Sequence, residues 1–109
     1  MNMIITNTES VPGWRISEVK GLVQGNTVRA KHMGRDIMAG FKNLVGGEIK
    51  GYTELLTESR REALARMTAQ AEQLGANGVV NVRFATSAIT AGAAEMLAYG
   101  TAVVFVQED

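Results

Sequence analysis

The sequence of 109 residues contains no cysteine, a single proline and a single histidine. Lacking cysteine, it has no disulfides, no thiolate metal site, no Cys nucleophile and no thiol redox chemistry. That fits a reducing cytoplasm, which is the expected location. An excess of one charge is also missing, because eleven Lys and Arg balance eleven Asp and Glu. The one basic doublet, Arg60-Arg61, lies between Glu58 and Glu62. A nucleic-acid surface needs clustered basic side chains, so neither a nucleic-acid partner nor an electrostatic membrane anchor is expected. The opening MNMIITNTES lacks the basic, apolar and small-residue segments of a signal peptide.

Long hydrophobic runs are scarce as well. Residues 88–106 come closest, with one charge, Glu95. A membrane span tolerates a central carboxylate only at roughly 2.5–3.5 kcal/mol, and the Ala, Gly and Thr here offset little of that. A small-residue turn followed by a buried strand is the expected structure.

What is present fits one α+β domain over 1–109. Met3 to Thr6 reads as a short strand, Val11-Pro12-Gly13 as a turn, and Trp14 to Lys31 as strand. Gly21 and Gly25-Asn26 interrupt that strand and predict a bulge or hairpin turn within it. Met33, Ile37, Phe41, Leu44 and Val45 recur at helical spacing, predicting a first helix that ends at Gly46-Gly47. In a second helix, Leu56, Arg60, Ala63, Leu64, Met67, Ala71 and Leu74 form one stripe. Thr53 or the Ser59-x-x-Glu62 box would start it, and Gly75 would stop it. Asn77 to Phe84 and Glu95 to Val106 read as strands. The last is apolar on both faces, so it should be central and covered twice. A chain this small has little left for the second cover, and low charge with 12 glycines points the same way, to a neighbouring subunit.

The search for chemistry finds little. His32 and Asp36 share a helical face at i,i+4, but two ligands fall short of a zinc site; no metal site and no cofactor is expected. Ser10, Ser17, Ser59 and Ser87 lie in no Gly-x-Ser-x-Gly elbow. Glu54, Glu58 and Glu62 interleave with arginines and read as a solvated face. Gly46-Gly47-Glu48 lacks the Gly-Lys-Ser/Thr of a phosphate loop, and Gly75-Ala76-Asn77-Gly78 leads into a strand, not a helix. The double glycine is therefore expected to be a corner between two helices. Trp14 is expected against its own strand, with an interface anchor as the alternative, and Met33, Met38 and Met67 as core filler.

Read together, Gly34-Arg35-Asp36-Ile37, Val45-Gly46-Gly47, Tyr52, Ala63, Met67, Gly75-Ala76-Asn77-Gly78-Val79-Val80 and Tyr99-Gly100-Thr101-Ala102-Val103 resemble the YbjQ-like family of small bacterial proteins. The resemblance implies an α+β subunit with a mixed or antiparallel sheet and two helices, assembled into a ring-shaped homopentamer. It brings no established activity, and the heavy-metal-binding label sometimes given to the family finds one His and no Cys here. The expected function is a homo-oligomeric binding or assembly module. A small-ligand site between subunits near the Gly-Gly corner would draw on Glu48, Tyr52, Asn77 and Arg83, whose simpler roles are caps and surface hydrogen bonds. The alternatives are a divalent or heavy-metal-binding protein, and an enzyme with an intersubunit site built on Glu48 or Glu95; no catalytic residue is assigned.

Overall fold

Proline at the second and glycine at the third position of a turn set its type. The Trp14 N–H donates to the Val11 carbonyl at 3.1 Å, and Gly13 takes φ 84°, as a type II turn requires. In this computed structural model, residues 2–30, 47–90 and 93–108 are described. They form β1 (Ile4–Ile5), β2 (Trp14–Ala30), α1 (Gly47–Gln73), β3 (Gly78–Thr90) and β4 (Ala93–Gln107). The sheet order is β1-β3-β4-β2. β1 runs parallel to β3, and the other pairs are antiparallel. The architecture is α+β with a mixed sheet.

Among the described residues there is one helix, against the two expected. The first expected helix, from Met33 to Val45, lies outside the described residues, as do His32, Asp36, Met38 and Gly46. The helix that is described starts earlier than its caps implied. Gly47 is already helical, so Thr53 and Ser59 lie inside it, where Ser and Thr bond back along the helix instead of capping it. The Thr57 hydroxyl, for example, donates to the Thr53 carbonyl at 2.8 Å. The exit is as expected. Gly75 takes φ 81°, its N–H meets the Glu72 carbonyl at 3.0 Å, and the Ala76 N–H meets that of Ala71 at 3.1 Å. These are the paired bonds of a Schellman ending.

The buried stripe of α1 is Ser59, Ala63, Met67 and Ala71, narrower than the apolar spacing suggested; Arg60 and Leu74 are exposed. Small residues at i, i+4 steps let the helix lie close on the sheet. Facing it are Val23 and Gly25 on β2 and Met96, Ala98 and Ala102 on β4. A Cβ at Gly25 would overlap the Ala63 carbonyl oxygen and the Met67 amide. Gly25 is therefore a contact point in an unbroken strand, and the hairpin turn considered there does not form. The irregularities of β2 fall earlier, between Ile16 and Glu18 and between Val19 and Gly21.

β4 is central, as its two apolar faces required. Its second cover is divided. Near the end of β4, Val103 and Phe105 pack with Val80, Ile4, Val11 and Trp14, and the Trp14 ring meets Phe105 edge-on, with centroids 6.4 Å apart. Further up the sheet, the face away from α1 carries Leu22 and Val28, 72% and 59% exposed, beside half-exposed Tyr99. β3 also runs on past Phe84 to Thr90 and β4 begins at Ala93, so the stretch from residue 88 to Glu95, expected to be a small-residue turn, is strand at 88–90 and again from 93.

The chain exposes 6971 Å², where a compact monomer of its mass exposes about 5,900 Å². Its radius of gyration is 17.3 Å, against about 13 Å for a compact domain of this length.

Candidate functional site

Where β1 leaves β3, a bulge reshapes the strand. Asn81 takes φ 54°, and the regular pairing of β3 with β4 is broken between Val80 and Arg83. The chain after β1 is held there by Asn81 N–H to Thr8 O (3.0 Å) and Val82 N–H to Thr6 O (3.1 Å). Beside this bulge is an open trough of about 460 Å³. Ile5 to Asn7 form one bank, Val82 to Phe84 the other, and Leu64 of α1 closes one side. Arg83 reaches round the sheet edge, and its guanidinium donates to the carbonyls of Asn7 at 2.9 Å and Val82 at 3.0 Å. The lining is mostly apolar with a single cation. It can bury an apolar segment and hold a carbonyl or anionic group at its rim; its lining includes no carboxylate or imidazole for proton transfer.

Asn77, six residues earlier, does different work. Its side chain donates to the Phe105 carbonyl at 3.0 Å and accepts from the Phe105 N–H at 2.6 Å, while its own N–H meets the Val103 carbonyl at 3.1 Å. This amide clamps β4 where β3 begins. It also borders a smaller depression of about 270 Å³ with Met3, Glu72, Gly75 and Ala76.

The four candidate residues are spread along the chain, Glu48 and Tyr52 on α1, Asn77 after it and Arg83 on β3. Glu48 and Tyr52 fall in the first two turns of α1, about 24 and 18 Å along the helix axis from Leu64 at 1.5 Å per residue. Asn77, just ahead of β3, and Arg83, within it, border different depressions. The partners of Arg83 in the trough come from β1, its following turn and α1, and no local motif announces them.

Other clusters are structural. Glu62 on α1 receives Arg66 at 2.5 Å and also pairs with Arg29 of β2, and Arg66 donates to the Asn26 carbonyl at 2.6 Å. Among the described residues, no group of three His, Cys, Asp or Glu is placed to hold a metal ion, and no helix is long and apolar enough to cross a membrane.

The bulge, trough and sheet order can be set beside known proteins. A family model described as "Putative heavy-metal-binding" matches residues 3–106. The chain belongs to the YbjQ family. Its YbjQ relatives include a UPF0145 protein of Hahella chejuensis, 64% identical over 102 residues, which covers 94% of this chain and 98% of that one. Another, from Thermotoga maritima, is 62% identical over 101 residues, covering 93% and 95%. A third, from Archaeoglobus fulgidus, is 63% identical over 101 residues, covering 93% and 94%. Among solved structures, a protein of unknown function of the DUF74 family from Pediococcus pentosaceus matches with a TM-score of 0.64. It is 18% identical over 95% of this chain and 98% of that one, a likeness of fold. These relatives are uncharacterised, and no specific function comes with membership of the YbjQ family.

Proposed function

We propose that this YbjQ protein is a homo-oligomeric binding or assembly module of the cytoplasm, built as a ring of five copies, with its ligand groove at a subunit boundary. The observation that carries this reading is the surface of the single chain. It exposes about 1,100 Å² more than a compact monomer would, and part of the excess is apolar, at Leu22, Val28 and Ile89. Large exposed apolar patches on a soluble chain mark places where something else packs. The number five is what the family resemblance implies. The trough at Arg83 supports the binding half of the reading, since it is an open, mostly apolar depression with one guanidinium at its rim, between the chain after β1 and the bulge of β3.

Size-exclusion chromatography with light scattering on untagged protein tests the assembly. A single species at five times the chain mass supports it, and a monomer at micromolar concentration contradicts it. The same run after chelator treatment examines the family's metal label; an unchanged particle is the expected outcome.

A further inference from the structure

We propose that Asn77-Gly78 is a self-modification site held shut by the fold: the Asn77 side chain deamidates, through attack by the Gly78 backbone nitrogen, once the end of β4 comes away. The site lies within one chain and is independent of its assembly.

Asn77 is the only asparagine in the sequence followed by glycine. A glycine leaves its backbone nitrogen unobstructed and its peptide free to rotate. Hydroxide removes the Gly78 N–H proton, and the nitrogen attacks Cγ of Asn77. The new N–Cγ bond closes a cyclic imide, the Cγ–Nδ2 bond breaks, and ammonia leaves with a proton from water. Water then opens the imide at either carbonyl. The product is aspartate, or its isomer with the side-chain carbon in the main chain. No oxidant, metal or second protein is required.

Phe105 imposes this dipeptide. Its ring lies so close over Gly78 that a Cβ there would overlap Cδ2 and Cε2. Its backbone N–H and carbonyl are both taken by the Asn77 side chain, at 2.6 and 3.0 Å. One buried residue therefore calls for glycine at 78 and, at 77, for a side chain that donates and accepts at once. The reactive pair is a by-product of packing the end of β4.

The same contacts hold the reaction shut. Attack requires the Asn77 Cγ and the Gly78 nitrogen to turn toward each other. The two bonds to Phe105 hold the amide, and the main chain beside it is pinned as well. The Ile4 N–H donates to the Asn77 carbonyl at 3.0 Å, and the Asn77 N–H meets the Val103 carbonyl at 3.1 Å. Asn77 is half-buried beside the depression it shares with Met3 and Glu72, so water reaches it, and geometry is the restraint. β1, two residues long, and the end of β4 open first, because terminal pairings are the easiest to break. Conversion then bars the return. Aspartate has no donor for the Phe105 carbonyl, and the isomer lengthens the main chain at the entry to β3. Each opening that reacts is thus recorded irreversibly.

Peptide mapping by mass spectrometry tests this on the full chain, incubated at mildly alkaline pH in native buffer and in concentrated urea. The Asn77 peptide is expected to convert from amide to acid at least ~10-fold faster in urea than in the native protein. Equal rates would overturn the lock, and no conversion in urea would overturn the site. Gly78→Ala is compared in urea, where its clash with the Phe105 ring does not enter. There it is expected to slow the conversion ~10-fold, by crowding the nitrogen; an unchanged rate would contradict attack by that nitrogen. Converted chain, separated by anion exchange and returned to native buffer, is expected to unfold at lower urea than unreacted chain. Equal midpoints would contradict the barred return.

Discussion

Gly25 of β2 lies against the carbonyl of Ala63 on α1, closer than any side chain would permit. The contact joins strand and helix at the centre of the buried stripe. Thr27 extends it, its hydroxyl donating to the Ser59 carbonyl at 3.2 Å. Gly25→Ala must therefore push the helix off the sheet. A loss of about 2–3 kcal/mol is expected, at the upper end of overpacking costs. Urea denaturation would read it, and a variant as stable as the parent would show that the helix does not rest on Gly25.

Glu62 binds two arginines from different elements, Arg29 of β2 and Arg66 of α1. Glu62→Gln keeps the shape and removes the charge. All three side chains are a third or more exposed, so solvent screening holds the cost to about 1 kcal/mol. That cost should shrink as salt is raised toward 1 M. Urea midpoints at low and high salt provide the check.

Asn77 both donates to and accepts from the Phe105 backbone. Asn77→Ala leaves that N–H and carbonyl without their partner, at about 2 kcal/mol for two bonds. Asn77→Asp keeps the acceptor and loses the donor, so an intermediate loss is expected. Thermal unfolding of the two variants would order them, and equal stability of all three proteins would argue against the clamp.

Gly75 sits at φ 81° in the ending of α1, where a Cβ finds space but a strained backbone. Gly75→Ala should cost about 1 kcal/mol without changing the oligomer. Comparing unfolding midpoints and native mass separates the two effects.

How far the residues announce this fold depends on how local each cause is. The Pro12-Gly13 turn and the Gly75 ending are local backbone chemistry and could be read directly. The central place of β4 followed from its two apolar faces. The start of α1 was obscured because Thr53 and Ser59 each imitate a cap while sitting inside the helix. Ala85, Ser87 and Ala88 favour no strand of their own and break the apolar alternation that marks one, and pairing with β4 holds the stretch extended. Gly25 looked like a turn residue because its reason lies in Ala63, far off in sequence. The site divides in the same way. Asn77 and Arg83 could be singled out as polar residues near strand ends. Ile5, Asn7 and Leu64 join Arg83 only through tertiary contact.

Native mass spectrometry of the untagged protein tests the proposed ring of five directly. One species at five times the 11.7 kDa chain, unchanged by chelator, is the expected result. A species at 11.7 kDa, still folded by circular dichroism, would contradict it.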